Sequence, residues 1–230
     1  MAPVDLQPLP VGHAPWRRLP QLFAGLALYG TSMAMQVRSG LGLQPWDVLH
    51  EGVTRQTSLS FGAVTAVTGA VVLMLWIPLR QRPGVGTVAN VVVIALVVDA
   101  ALALIPAAQG WPARVALMMG GVALTGVATA AYVGARLGPG PRDGLMTGLA
   151  ARTGGSIRLV RTAIELSVLG TGWLLGGTVG IGTVIFAMAI GPLTQAFLPW
   201  LAVARDPVPR PGPRGATAGR RRGGRPATAP

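Results

Sequence analysis

The sequence GLGLQPWDVLHEGVTRQTSLS (residues 40–60) recurs without gaps 96 positions later as RLGPGPRDGLMTGLAARTGGS (residues 136–156). We call these stretches the first and the second motif copy. Identical residues at equivalent positions fix the alignment: Leu41 and Leu137, Gly42 and Gly138, Pro45 and Pro141, Asp47 and Asp143, Leu49 and Leu145, Gly52 and Gly148, and Thr57 and Thr153. The same offset also aligns GVGT (residues 84–87) with GIGT (residues 180–183). Because the same 96-residue offset aligns residues both inside and outside the motif, the sequence indicates an internal duplication.

The composition indicates a membrane protein. Of the 230 residues, 51% are hydrophobic and only 11% are charged, whereas soluble domains carry about 25% charged residues. Six mostly apolar stretches are long enough to cross a hydrocarbon core of about 30 Å. They lie at residues 19–37, 61–79, 87–107, 113–133, 157–175 and 183–203. Backbone groups in lipid must be hydrogen-bonded within their own segment, so we predict that these stretches are helices.

The duplication and the six spans together predict the architecture. Each repeat holds three spans, and an odd number of spans turns the second repeat upside down in the membrane. We therefore expect an all-α membrane protein with six transmembrane helices, built as a 3+3 inverted-topology repeat with a short Gly/Pro-started helix in each half. The expected segments are a cytoplasmic N-terminal segment (1–18), two three-helix repeats (19–107 and 113–203) and a disordered cytoplasmic tail rich in Arg, Pro and Gly (204–230).

The arginines set the expected orientation, because positive charges near span ends favour the cytoplasmic side. With the N-terminus inside, only three arginines between the spans face outside: Arg38, Arg55 and Arg114. We expect a multi-pass protein of the bacterial inner (plasma) membrane with both termini in the cytoplasm. Its expected partner is the lipid bilayer, which the basic tail would face, and binding to nucleic acid is not expected.

Each motif copy has the pattern of a turn followed by a short helix. Pro45 and Pro141 suit a first helical position, where an N–H would be unpaired anyway. Asp47 and Asp143 then fall in the first turn, where the helix dipole favours an anion. The helix is too short to span, so it either lies along the membrane surface or enters as a re-entrant half-helix aimed at a central site. For the two aspartates, a capping role and a contact with a substrate or ion both stay open.

The first motif copy with its glycine tract, GLGLQPWDVLHEGVTRQTSLSFG and PLRQRPGVGTVANV, resembles the bacterial integral membrane proteins of the YczE group and, more loosely, YitT-type membrane proteins. The resemblance covers about residues 17–200. The repeat motif is marked by Gly42, Pro45, Trp46, Gly52, Gly138, Pro141 and Gly148. In the second copy, Arg142 stands at the position of Trp46, so a dedicated role of Trp46 would be absent there. The resemblance implies a membrane protein and supplies no catalytic residues.

Polar residues inside the predicted spans are candidates for function, because a charge at bilayer depth costs at least about 2.5–3.5 kcal/mol. Glu165 lies near the middle of the fifth span, and Arg161 precedes it by one helical turn. The two residues either form a pair that neutralises itself or serve a proton or a substrate. Asp99 and Asn90 lie in the third span. Asp99 has no basic neighbour within a turn, so we expect that Asp99→Asn leaves stability level or raises it.

Several classes of function are disfavoured. The chain has no cysteine and only two histidines, His13 and His50, so we expect neither a metal site nor a disulfide. No enzyme motif occurs, so we expect no enzymatic activity and no cofactor. Trp46, Trp111 and Trp200 fall near predicted membrane interfaces, where tryptophan commonly anchors a protein among lipid headgroups. His50 is either a pH-sensitive group or, as is commoner, a side chain that is solvated or faces headgroups.

The sequence favours a small secondary transporter or permease-like protein for an unidentified small solute or ion. The alternative is a non-transporting accessory or scaffold protein that supports another membrane or biosynthetic system. The candidate substrate or ion site comprises Asp99, Glu165, Arg161, Asp47, Asp143 and Asn90.

Overall fold

The computed structural model describes residues 8–10 and 12–203, so the predicted C-terminal tail lies outside the described residues. This part of the chain contains eight helices and no strand. The helices are α1 (Pro15–Ser39), α2 (Pro45–Gln56), α3 (Phe61–Leu79), α4 (Val85–Leu104), α5 (Trp111–Gly134), α6 (Pro141–Thr153), α7 (Ile157–Leu174) and α8 (Ile181–Leu201). The predicted all-α fold is confirmed over the described residues.

Each of the six predicted spans coincides with one of the six long helices, and three of them, 87–107, 157–175 and 183–203, run one to three residues past the end of the helix. Four of these helices, α3, α4, α5 and α8, are long and apolar enough to cross a membrane. The other two are α1 and α7. Three charged side chains, Arg158, Arg161 and Glu165, lower the hydropathy of α7. The helices thus agree with the predicted segments, and membrane-spanning length and composition are found for four of them.

The two motif copies form the two short helices, α2 and α6. Both begin with the expected proline at the first helical position, and neither has a side-chain cap at its N-terminus. Helix α2 packs mainly against α7, and α6 packs mainly against α3. Each motif helix therefore packs against a long helix from the other half of the chain.

The turn before each motif helix is held by a glycine tract from the opposite half. The Leu41 carbonyl accepts a 2.8 Å hydrogen bond from the Gly182 N–H, and the Leu137 carbonyl accepts one of 3.0 Å from the Gly86 N–H. The next residue, Gly42, has φ +118°, and a β-carbon there would lie 2.7 Å from the Gly180 nitrogen. This combination of backbone conformation and close approach requires glycine. It explains why the motif and the distant glycine tract recur together.

Helices α1 and α5 form the central pair of the bundle. A β-carbon at Gly25 would lie 2.8 Å from the Tyr132 nitrogen, and one at Gly121 would lie 2.9 Å from Gln36 Cγ. Glycine at these positions lets the two helix backbones approach closely, as is common in membrane proteins. The neighbouring core contains the buried side chains of Leu22, Leu26, Met33, Ile94 and Val98.

Arg18 joins the start of α1 to the loop after α5. Its side chain is fully buried. Its guanidinium donates to five backbone carbonyls, those of Leu9 (3.2 Å), Pro10 (2.6 Å), His13 (2.7 Å), Ala135 (2.8 Å) and Arg136 (3.0 Å). The sequence indicated Arg18 only as a signal for membrane orientation. In the structure it also holds two distant segments together.

The outer surface of the bundle is apolar over much of its area. Large hydrophobic side chains are highly exposed on several helices, including Ile77 on α3, Leu104 on α4, Leu174 on α7 and Trp200 on α8. An apolar surface of this extent suits contact with lipid and not with water. Composition, helix length and surface character together identify a helical membrane protein.

Candidate functional site

A cavity of about 370 Å³ lies between the N-terminal ends of the two motif helices. All eight helices contribute to its wall. The polar lining residues are Tyr29, Gln44, Trp46, His50, Thr65, Thr68, Asn90, Thr125, Thr129, Tyr132, Arg142, Asp143, Arg161 and Glu165. The apolar lining includes Val72, Val91, Ile94, Met146, Phe186 and Ile190. The first turns of α2 and α6 therefore meet at one polar cavity inside the bundle.

The cavity wall is built from equivalent positions of the two repeats, but the equivalent residues differ in chemistry. Lining pairs related by the repeat offset include Pro45 and Pro141, Trp46 and Arg142, Thr65 and Arg161, Gly69 and Glu165, and Asn90 and Phe186. In three of these pairs the second half supplies a charged side chain where the first half has none. The cavity thus lies where the two halves face each other, and most of its charge comes from the second half.

Arg142 and Trp46 contact each other across the cavity. The Arg142 Cζ atom lies 4.9 Å from the centre of the Trp46 ring, which is the geometry of a cation–π interaction. The nearest carboxylate atom is Asp47 Oδ1, 3.7 Å from Arg142 Nη2, which is too far for a hydrogen bond. Arg142 makes no hydrogen bond within the described chain. Its side chain is 24% exposed, so its donors stay accessible from the cavity.

Asp47 and His50 are buried together beside Trp46. Asp47 Oδ2 accepts a 2.7 Å hydrogen bond from Gln44 Nε2, and Asp47 Oδ1 lies 3.4 Å from His50 Nδ1. His50 is 1% exposed and Trp46 is 6% exposed. The prediction that Trp46 anchors the protein among headgroups and that His50 is solvated is therefore wrong, because helix packing places both side chains inside. Within the described chain, the buried Trp46 Nε1 and His50 Nε2 atoms have no hydrogen-bond partner.

Asn90 and Asp143, two predicted site residues, lie at the same end of the cavity. A β-carbon at Gly140 would be 3.2 Å from Asp143 Oδ2, 3.5 Å from the Tyr132 hydroxyl and 3.8 Å from Asn90 Nδ2. These three polar groups therefore surround the Gly140 backbone. The absence of a side chain at Gly140 leaves the space between them open.

Arg161 and Glu165 form the predicted pair on α7. Arg161 Nε donates to Glu165 Oε1 over 2.9 Å, and both side chains line the cavity. Arg161 is 56% exposed and Glu165 is 33% exposed, so the pair is not a fully buried one. The pairing is confirmed, and its part in proton or substrate binding stays a prediction.

Asp99 does not line the cavity. Its Oδ1 accepts a 2.7 Å hydrogen bond from the Gly62 N–H, and its Oδ2 accepts one of 2.5 Å from the Ser60 hydroxyl. Ser60 itself accepts from the Ala63 N–H at the start of α3. Asp99 thus ties α4 to the N-terminus of α3, where a carboxylate satisfies unpaired N–H groups and interacts favourably with the helix dipole.

Comparison with known proteins gives the chain a family. Residues 16–199 match the family described as "Family of unknown function (DUF6198)". The chain belongs to the DUF6198 family. This DUF6198 protein is 39% identical over 185 residues to an uncharacterized protein of Haemophilus influenzae, covering 80% of this chain and 85% of the relative. It is 32% identical over 180 residues to the "Uncharacterized membrane protein YczE" of Bacillus subtilis, covering 77% and 83%.

The resemblance to the YczE group is therefore confirmed. No solved structure matches this DUF6198 protein significantly.

The cavity of this DUF6198 protein has the chemistry of a binding site for a small polar solute. It offers a stacked guanidinium, a carboxylate–guanidinium pair, hydroxyl groups and an apolar wall. No group of three His, Cys, Asp or Glu side chains within the described ranges could hold a metal ion.

Proposed function

We propose that this DUF6198 protein is a small secondary transporter or permease-like protein that binds a small solute or ion between α2 and α6. The observation that carries the proposal is the position of the cavity. Its walls are charged and hydrogen-bonding, yet it lies inside a bundle with an apolar outer surface. Ionisable groups at bilayer depth are costly, and in membrane proteins they commonly mark a substrate or proton path.

We further propose that all six long helices cross the membrane. Helix α1 packs against both α4 and α5, so much of its surface faces protein. Helix α7 presents Arg161 and Glu165 to the cavity, while Leu159, Leu166 and Leu174 are exposed on its surface. Neither helix needs to be apolar all round, because part of each one is shielded from lipid.

The packing of the two halves supports the inverted repeat. Helix α2 packs on α7, and its equivalent, α6, packs on α3, which is the equivalent of α7. In the same way, the glycine tract of the second half donates a hydrogen bond to the turn before α2, and the tract of the first half donates one to the turn before α6. A pseudo-two-fold axis in the membrane plane accounts for these exchanges, and α2 and α6 then enter the membrane as half-helices from opposite sides. We place both termini in the cytoplasm and the protein in the plasma membrane.

Matched cysteine variants test this topology. Thr57 and Thr153 occupy equivalent positions of the two motif copies, and both are exposed. Thr57 directly follows α2, and Thr153 is the last residue of α6. In intact cells, an impermeant thiol reagent should label the Thr57→Cys variant and not the Thr153→Cys variant, and permeabilised cells should label both. Labelling of both variants in intact cells would contradict the inverted repeat, because both motif copies would then share a side.

Solute uptake into proteoliposomes under an imposed proton or sodium gradient tests transport itself. The Gly140→Leu variant should abolish uptake, because its side chain would extend among the polar groups at the end of the cavity. The Gly170→Leu variant is the control, since a β-carbon there meets no atom within 4 Å and Gly170 does not line the cavity. A folded, reconstituted protein that moves no solute from a broad panel would favour the accessory role.

A further inference from the structure

Arg142 is a cavity cation whose hydrogen-bonding groups are unused. It is the second residue of α6, its guanidinium lies over the Trp46 ring, and it makes no hydrogen bond to any described residue. A guanidinium offers five N–H donors in a planar arrangement that matches a carboxylate. A buried or half-buried arginine normally has acceptors for these donors, so the missing acceptor points to a ligand.

The other charges of the cavity wall are occupied or balanced. Arg161 already donates to Glu165 over 2.9 Å. Asp143 lies with Tyr132 and Asn90 around Gly140, at the start of the same helix. The four charged lining residues, Arg142, Arg161, Asp143 and Glu165, sum to zero. Behind the wall, the buried Asp47 carboxylate lies 3.7 Å from Arg142 Nη2 and adds one negative charge. This charge repels a phosphate, which carries about two charges at neutral pH, more than it repels a ligand with a single negative charge.

Two further features agree with an anionic group at Arg142. The N-termini of α2 and α6 both face the cavity without a side-chain cap, and a helix N-terminus favours negative charge. Trp46 is nine-tenths buried, lines the cavity and has an unpartnered Nε1 donor. The remaining wall, which includes Val72, Ile94 and Phe186, is apolar.

We infer that the substrate of the proposed transporter is a small monocarboxylate with an apolar body, whose carboxylate binds Arg142 and whose body lies along Trp46 and the apolar wall. That the ligand is a transported substrate rests on the proposed function. That a carboxylate binds at Arg142 rests on the cavity alone. The volume of about 370 Å³ suits a solute of small-metabolite size.

The test is a binding titration of the full chain in detergent, followed by thermal unfolding at constant ionic strength. The probes are sodium butyrate, hexanoate and benzoate, with the matched neutral amides, hexylammonium chloride and sodium phosphate for comparison. The three carboxylates should stabilise the protein saturably, and the amides, the amine and phosphate should not. Arg142→Gln should weaken carboxylate binding about 10–100-fold, as expected when hydrogen bonds to a charged group are lost. Arg158→Gln removes an exposed arginine outside the cavity and should leave binding unchanged.

The double variant Asp47→Asn/Arg142→Gln guards against misfolding, because it removes both charges of the 3.7 Å pair together. It should fold and show the same weakened carboxylate binding as Arg142→Gln. The inference would be overturned by any of three results: the amides bind as tightly as the carboxylates, the Arg142→Gln variant binds carboxylates with unchanged affinity, or phosphate alone binds. Carboxylate binding without uptake would refute transport and leave the site standing. Uptake of amines or neutral solutes without carboxylate binding would refute the site and leave transport standing.

Discussion

Replacing Arg18 by alanine should destabilise the protein far more than replacing its neighbour Arg17. Arg18 is fully buried and donates to five carbonyls, whereas Arg17 is exposed. Three of the five bonds are buried, those to Leu9, Ala135 and Arg136. We count these three at about 1.5 kcal/mol each, the lower end for hydrogen bonds to a charged group, because burying the guanidinium itself is costly. The expected loss is about 4–5 kcal/mol.

The assay is thermal unfolding of both variants in the same detergent. For a chain of this length, a loss of about 4–5 kcal/mol lowers the melting temperature by roughly 10–20 °C. Arg17→Ala should melt within a few degrees of the unchanged protein, since exposed substitutions usually change stability by less than about 0.5 kcal/mol. Both variants lose one positive charge at the same span end, so an effect on membrane orientation would appear in both. If the two variants melt together, the buried guanidinium does not hold the N-terminal segment to the loop after α5.

Three further predictions follow from the contacts of single residues. Asp99→Asn should lower stability by about 1–3 kcal/mol in thermal unfolding, because the Gly62 N–H and the Ser60 hydroxyl lose a charged acceptor. The sequence led us to expect level or raised stability for this variant. That result would now show that the Asp99 hydrogen bonds to the start of α3 contribute nothing to stability. Removing both charges of the Arg161–Glu165 pair should change stability by only about 1 kcal/mol or less, because the pair is partly exposed. Loss of solute uptake in that folded double variant would then indicate a transport role, and full uptake would contradict one. Gly42→Ala should cost about 1–3 kcal/mol from the strained φ, with the clash against Gly180 in addition, and wild-type stability would contradict the described turn.

Local features were predictable from the sequence. The long and short helices follow from apolar runs and from proline and glycine at their ends, and these signals do not depend on the rest of the fold. The Arg161–Glu165 pair was predictable because residues four apart lie on one helix face. The convergence of the two motif helices was one of two open readings, and deciding between them required the packing of one half against the other.

Contacts between the two halves were not predictable from local pattern. The partner of Asp99 is on another helix and is partly backbone, so no charge pattern could reveal it. Burial of Trp46 and His50 depends on where α2 lies relative to α3 and α7, whereas their sequence positions suggested an interface. One signal was present: Arg142 stands at the repeat position of Trp46. Equivalent positions in an inverted repeat can meet near the symmetry axis, so a difference at such a pair was a pointer to the site.

The Arg142–Trp46 contact has a consequence for the origin of the protein. Two identical three-helix chains, assembled as an antiparallel homodimer, would place the same side chain at both positions. Two arginines would repel each other there, and two tryptophans would leave the cavity without this cation. The guanidinium–aromatic contact therefore requires that the two halves differ in sequence. A chain that carries both halves in one sequence can hold such a difference, and here the four charged side chains of the cavity wall all belong to the second half.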